Sequence, residues 1–203
     1  MRAVQDFLRD ANMQVFTPLD LERHFRVRTH TARIFLVRNA RRGVFVQAKR
    51  GLYYDTHALP SEVELANKLY QPSYVSLEYA LSHWGIIPET VYAVTSATTK
   101  ASREFAVNGV RYLYARMKPS VFTGYLTKII QGRSVLIASP EKAFVDYLYF
   151  VDLKKRALYD RIDVSKLDRS EIETWAQVFR RPSLDRLARN VYDESRRTQK
   201  NSQ

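Results

Sequence analysis

The chain contains no cysteine and no long apolar run. The absence of cysteine excludes disulfides and thiolate metal ligands, and it is typical of a cytoplasmic protein. No apolar run reaches the roughly 18–20 residues that a membrane-spanning helix needs, and the first residues lack the apolar core of a signal peptide. We therefore expect a cytoplasmic protein with no membrane partner.

Sequence motifs for catalysis are also missing. The chain has no GxGxxG, GxxxxGK[ST] or GxSxG pattern, so nucleotide binding and serine hydrolysis have no support. Its histidines form no i,i+4 pair and no HExxH motif. They are His24, His30, His57 and His83. Glutamates at 62, 64 and 141 occupy positions that stabilise helix starts. We predict no catalytic residue, no cofactor and no metal site, as in a protein that is not an enzyme.

Acidic residues are absent from one long stretch. From Arg23 to Arg50, twenty-eight residues include nine Lys or Arg and no Asp or Glu. A solvated helix face normally mixes both signs, because opposite charges one turn apart stabilise it. The formal net charge is +12, and residues 1–60 hold eleven Lys or Arg against five Asp or Glu. This pattern predicts a surface that meets the phosphates of a nucleic acid.

Helical spacing and capping signals predict three helices and a hairpin in this basic part. Thr17 and Pro18 favour a helix start, Thr29 is a candidate cap for the third helix, and Gly43 ends it. The expected elements are helices over residues 2–10, 18–25 and 29–42 and strands over residues 44–47 and 52–54. Residues 48–51 join the two strands in a basic-tipped hairpin. This succession predicts a winged helix-turn-helix domain.

In such a domain the third helix enters the major groove, and its N-terminal residues face the base edges. Arg33 can form a bidentate pair with guanine, and threonine can contact a thymine methyl. Arginines nearer the helix C-terminus are better placed for phosphates, and the hairpin tip can reach the backbone. The predicted DNA-binding residues are Thr29, His30, Thr31, Arg33, Arg38, Arg41, Arg42, Lys49 and Arg50. The alternative is that these arginines only keep the surface soluble.

The rest of the chain predicts a second domain of helices and strands. Residues 55–60 form a turn-rich linker, and Ser61 with Glu64 makes a capping box. Asn108-Gly109 is a strong hairpin signal, and Ser139-Pro140-Glu141 starts a later helix. The predicted fold class is α+β, with a small, mostly antiparallel sheet and C-terminal helices after the winged helix. The predicted domains are 1–57 for DNA binding, 58–194 for an α+β effector and 195–203 for a disordered tail.

Four blocks of sequence, in order, resemble the AbiEi antitoxin family of type IV toxin–antitoxin systems. The blocks are residues 50–53 (RGLY), 74–88 (YVSLEYALSHWGIIP), 94–100 (VTSATTK) and 137–146 (IASPEKAFVD). The resemblance covers about residues 1–150. It implies a transcriptional repressor that binds inverted repeats in its own promoter, with DNA-reading positions at Thr29–Arg42 and Lys49–Arg50. It also implies a partner, an AbiEii-like nucleotidyltransferase toxin whose effect the antitoxin counters.

Longer members of that family extend further beyond the Ser-Pro-Glu-Lys helix than this chain does. Whether the toxin is countered by direct contact is therefore left open, as is a homodimer on the DNA. A second possibility is a winged-helix repressor whose other domain senses a ligand or dimerises, with no toxin partner. A third is a nuclease or nucleotidyltransferase delivered to DNA by the wing, which is weakest because no metal-binding carboxylate pair stands out.

Overall fold

The computed structural model describes the backbone of residues 1–201 and the side chains of residues 1–198. Within these residues the protein is a mixed α+β chain with eight α-helices, one short 3-10 helix and two β-sheets. The predicted α+β class is confirmed. The chain divides into two compact units, the first covering Met1–Leu69 and the second beginning at Tyr70.

The first unit contains four helices and a three-stranded sheet. Its elements are α1 (Arg2–Asp10), β1 (Val15–Phe16), α2 (Pro18–Phe25), α3 (Thr29–Arg41), β2 (Phe45–Lys49), β3 (Leu52–Asp55) and α4 (Glu62–Leu69). The strands form an antiparallel sheet in the order β1-β3-β2. The first three helices and the β2–β3 hairpin agree with the prediction. Strand β1 is not predicted by the sequence, because two residues are too few to show alternation.

Helix α4 belongs to the first unit, although the sequence predicts a domain boundary before it. The Lys49 Nζ on β2 donates a hydrogen bond to the Leu69 carbonyl oxygen, at 2.5 Å. Leu69 is the last residue of α4. The Ser61 hydroxyl oxygen accepts a hydrogen bond from the Glu64 N–H at 3.2 Å, as the predicted capping box requires. The turn-rich linker over residues 55–60 therefore connects elements of one unit.

The core of the first unit fixes one side of α3. Leu36 of α3 is fully buried, together with Phe16 and Phe45 of the sheet. The Phe16 and Phe45 rings meet edge to face, with centroids 5.2 Å apart. Burying a side chain of this size stabilises the fold by roughly 1.5–3 kcal/mol. One face of α3 is therefore held against the core, and the opposite face is left to solvent.

The second unit is a six-stranded sheet with helices. Its elements are β4 (Ser73–Val75), α5 (Leu77–His83), β5 (Ala93–Thr98), β6 (Arg103–Val107), β7 (Val110–Arg116), a 3-10 helix (Pro119–Val121), β8 (Tyr125–Ile130), β9 (Arg133–Ala138), α6 (Pro140–Asp152), α7 (Arg169–Val178) and α8 (Pro182–Asn201). The strand order is β6-β7-β5-β4-β9-β8. Three neighbouring pairs are antiparallel, and the pairs β5–β7 and β4–β9 are parallel.

This sheet is larger and more mixed than the small, mostly antiparallel sheet that the sequence predicts. Asn108 and Gly109 form the predicted tight turn, both with positive φ, between β6 and β7. Strands β4 and β8 are not predicted. The first has only three residues, and the second lacks the alternation of a half-buried strand because most of it is exposed. Helix α6 starts as predicted, with the Ser139 hydroxyl accepting from the Lys142 N–H at 3.2 Å.

The predicted disordered tail over residues 195–203 is wrong for residues 195–201, which continue α8. Leu184, Ala188 and Val191 form a buried stripe along this helix. Ser195 follows on the same side, and its hydroxyl donates a hydrogen bond to the Ile162 carbonyl oxygen. This polar contact extends the packed side of the helix beyond the apolar stripe that the sequence makes visible. Residues 202 and 203 lie outside the described part of the chain.

None of the helices in the described part of the chain combines the length and the apolar character that crossing a bilayer requires.

Candidate nucleic-acid interface

Helix α3 has a buried face that matches the prediction. Ala32 and Leu36 are buried, and Phe35 packs against the same core. Asn39 is also buried on this side, where an apolar residue would be expected. Its Nδ2 donates a hydrogen bond to the Phe35 carbonyl oxygen at 2.8 Å, so the buried amide does not lack a partner.

The opposite face of α3 is basic and open to solvent. Five of the predicted DNA-binding residues line one surface groove of about 460 Å³, together with two apolar residues. The lining residues are His30, Arg33, Ile34, Val37, Arg38, Arg41 and Arg42. No acidic residue is among them. The groove thus combines cations with apolar surface, the two kinds of contact that a protein uses on phosphates and on thymine methyls.

The N-terminus of α3 differs from the prediction. Arg28, not Thr29, is the N-cap residue, and its side chain makes no capping hydrogen bond. Thr29 is the first helical residue, and its hydroxyl donates to the Glu22 carboxylate of α2. The acid-free sequence therefore still acquires one acidic neighbour in space. Thr31 is exposed, as predicted, but does not line the groove.

The base-reading candidate Arg33 lies within electrostatic range of the Tyr53 hydroxyl on β3. Burial raises the pKa of Tyr53, and the Arg33 guanidinium partly opposes that rise. Tyr53 is itself fixed in the core, with its ring stacked at 6.5 Å from that of Phe16. Arg33 is thus a groove residue that also interacts electrostatically with a core residue of the sheet.

The two predicted hairpin residues have different environments. Arg50 is exposed in the two-residue turn that it forms with Gly51, whose φ is +80°. Lys49 is only partly exposed, and its ammonium donates to the last carbonyl oxygen of α4. A lysine at this place stabilises the negative end of a helix. The structure therefore assigns Lys49 a contact within the first unit, whereas the sequence predicts a contact with DNA.

Four residues of this surface are absent from the predicted DNA-binding residues. Ile34 and Val37 occupy the groove between the arginines, and Ile34 is 45% exposed. Arg26 and Arg28 are exposed beside the start of α3. Arg26 has a left-handed backbone, with φ of 52°, and ends α2. Helical spacing could have identified Ile34, since it lies one turn from both His30 and Arg38. Nothing in the sequence places the loop arginines.

The second unit holds a buried polar cluster that the sequence analysis does not identify. Lys142, Asp146, Tyr74 and Ser76 are all fully buried. The Lys142 ammonium contacts the Asp146 carboxylate, and it donates to the Tyr74 hydroxyl oxygen at 3.0 Å. Burial raises the pKa of Asp146, and Lys142, Ser76 and Tyr74 oppose the rise. The cluster is closed to solvent, so these contacts order the interior.

A second groove, of about 690 Å³, opens on the surface of the second unit. It is lined by apolar residues that include Ile87, Leu158 and Val191, by the acidic residues Asp160, Asp163 and Glu194, and by Arg161. The volume is within the range of small-molecule sites. No group of three or more His, Asp or Glu side chains in the described part of the chain could hold a metal ion.

Comparison with known proteins adds no relative to these observations: no protein-family model matches the chain, and no curated protein is significantly similar to it in sequence.

Proposed function

We propose that the first unit is a winged helix-turn-helix domain that binds double-stranded DNA through α3. The exposed basic groove on that helix carries the proposal. The order of elements in the first unit supports the proposal, because three helices precede a two-stranded hairpin whose turn carries the exposed Arg50. The groove lacks acidic residues along its whole length, which a merely solubilising face would not require.

The residues of the groove divide by their place on the helix. His30, Arg33 and Ile34 are near its N-terminus, where such helices face base edges. Arg38, Arg41 and Arg42 are near its C-terminus, where their guanidinium groups reach phosphates. Arg50 in the hairpin supplies a further phosphate contact. Four arginines in each protomer would neutralise about eight phosphates in a dimer and give a slope of log K against log salt of roughly −7.

A mobility-shift titration on a duplex selected from a random pool tests this proposal. We expect Arg33→Ala to relax the sequence preference at a cost of about 1–3 kcal/mol. Arg38→Ala/Arg41→Ala should weaken all duplexes alike and flatten the salt slope. Arg186→Ala, an exposed arginine on α8, removes the same charge elsewhere and should leave binding unchanged. Equal binding by all four proteins would overturn the groove assignment.

The proposed biological role is that of a type IV antitoxin and autorepressor. The four AbiEi-like blocks support it, and three of them lie in the second unit. In this role the protein binds an inverted-repeat operator as a homodimer and counters an AbiEii-like nucleotidyltransferase toxin. Co-expression with a nucleotidyltransferase encoded beside its gene should restore growth. A chain in which Arg33 and Arg38 are both alanine separates the roles, because it should lose repression and keep neutralisation.

The groove of the second unit favours a second candidate, a repressor that responds to a small ligand. Its lining combines apolar residues with three acidic residues and one arginine, which suits a cationic amphipathic molecule. A thermal-shift screen with amphipathic amines tests this candidate. A ligand that raises the melting temperature of the wild-type chain but not of an Asp160→Lys variant would support ligand sensing. A flat response across the screen would favour the antitoxin.

A further inference from the structure

The outer edge of β8 is an unusual edge strand. It is the last strand in the order of the six-stranded sheet, so within the described residues no strand pairs with its outer side. Its six residues read YLTKII, with no proline and no acidic residue. Its pairing with β9 runs without a break in register from Tyr125 to Ile130. Edge strands that stay unpaired are normally protected by charge, proline or a bulge.

Three of the four exposed side chains of β8 are apolar, and the fourth is Thr127. Ile129 is 66% exposed, and Tyr125 and Leu126 are each 38% exposed. The one charge on the strand, the Lys128 ammonium, lies 3.9 Å from the centroid of the Trp84 ring. The Lys128 charge therefore lies over that ring and does not protect the edge of β8 from pairing with another strand. The opposite edge of the sheet, β6, begins with the charged pair Arg103 and Glu104, both of which are exposed.

We infer that β8 pairs with β8 of a second copy of the chain, antiparallel and with Thr127 on the two-fold axis. In an antiparallel pair about such an axis, directly opposite residues lie on the same face of the sheet. Thr127 then faces its own counterpart, and Tyr125 faces Ile129 of the partner subunit. Two exposed apolar side chains of this face thereby cover each other across the axis.

Charge favours the register with the axis on Thr127 over the register with the axis on Lys128. With the axis on Thr127, Lys128 lies opposite Leu126 of the partner subunit and can cover it with its aliphatic stem. Moving the axis by one residue towards the C-terminus places the two Lys128 side chains directly opposite each other, and like charges in that position destabilise a sheet. Thr–Thr and aromatic–aliphatic pairs are among the favourable cross-strand pairs.

The assembly can be tested on the full chain without DNA. Sedimentation equilibrium should give a mass near twice 23.7 kDa for the wild type. Ile129→Lys places two new charges beside the axis and should weaken the dimer at least tenfold. Leu59→Lys adds the same charge at a residue that is 62% exposed in the first unit, and should leave the dimer unchanged. A monomeric wild type, or an Ile129→Lys dimer as tight as the wild type, would overturn the inference.

The absence of cysteine makes the register testable separately. Across the axis the two Cα atoms of residue 127 should lie about 4.5–5.5 Å apart, within disulfide range. Thr127→Cys should therefore form a covalent dimer under mild oxidation. Ile129→Cys should not, because its counterpart lies four residues further along the strand. Cross-linking through residue 129 but not through residue 127 would contradict the proposed axis. Circular dichroism melts of both variants show whether each is folded.

Discussion

Lys142 and Asp146 lie one turn apart on α6, and neither side chain has any exposed surface. The carboxylate also accepts hydrogen bonds from the Tyr74 and Ser76 hydroxyls, at 2.9 and 2.8 Å. An ion pair in this position is desolvated at a cost of several kcal/mol per ion, which only a complete set of partners offsets. The contact therefore joins α6 to the β4 region through charge and hydrogen bonds as well as apolar packing.

Removing one member of this pair should destabilise the protein strongly. We expect Lys142→Met and Asp146→Asn each to lower the free energy of unfolding by about 3–5 kcal/mol, because each leaves the other member unpaired. The double variant should cost less than the sum of the two, since it removes both charges. Urea titration of the three variants measures this coupling. Additive losses would mean that the two side chains do not interact.

Ile34 should read a thymine methyl if α3 binds the major groove. Replacing thymine by uracil in the selected duplex removes only the methyl group and should weaken wild-type binding at one position. Ile34→Ala should bind thymine and uracil duplexes alike, because the side chain that contacts the methyl is gone. Arg33→Ala is the matched control and should keep the sensitivity to uracil. Wild-type binding that ignores every uracil substitution would exclude this contact.

Lys49 and Arg50 should respond differently to mutation. Lys49→Met removes the contact with the Leu69 carbonyl oxygen and should lower stability by about 0.5–1.5 kcal/mol with the salt slope of DNA binding unchanged. Arg50→Ala should leave stability unchanged and flatten the slope by about 2, because each protomer of the proposed dimer loses one phosphate contact. Parallel melts and salt titrations of the two variants separate these effects. A flatter salt slope for Lys49→Met would show that Lys49 belongs to the DNA-binding surface.

His83 should report on the position of Lys128. Partial burial lowers the pKa of His83 below its ordinary value of 6.5, and the nearby Lys128 ammonium lowers it further. Lys128→Met should therefore raise that pKa towards 6.5, which an NMR titration of the ring protons measures. Because the unfolded chain binds this proton more readily, stability should fall as the pH drops below 6.5, and less so in the variant. An unchanged pKa in Lys128→Met would place the ammonium away from the ring.

Local signals in the sequence predict much of the fold. Pro18 and Asp20 identify the start of α2, where the Thr17 N–H donates to the Asp20 carboxylate at 2.7 Å. Asn108-Gly109 identifies a hairpin, because few other pairs adopt positive φ at both positions. Such features depend on residues close together in the chain. Their physical causes are visible without any knowledge of the tertiary structure.

Features that depend on distant residues could not be predicted in this way. The contact of Thr29 with Glu22 depends on how α2 and α3 pack, and the cap residue of α3 is Arg28. The sequence predicts Lys49 as a cation at the hairpin tip, and its contact with the end of α4 depends on tertiary packing. The basic, exposed face of α3 could be predicted, because helical spacing alone places its residues on one side of the helix. Tertiary contacts decide which residues beside this face of α3 remain free to bind a ligand.

The alternation of pairings in the six-stranded sheet has a consequence for the order of folding. The hairpins β6–β7 and β8–β9 each join strands that follow one another after a two-residue turn, so they can form early. The parallel pairing of Val75 with Ile137 closes a much longer loop and should form late. Pulsed hydrogen exchange during refolding should protect both hairpins before β4, and simultaneous protection would contradict this order. The edge of β8 would then be exposed while the centre of the sheet is still open, so refolding yield should fall as the protein concentration rises.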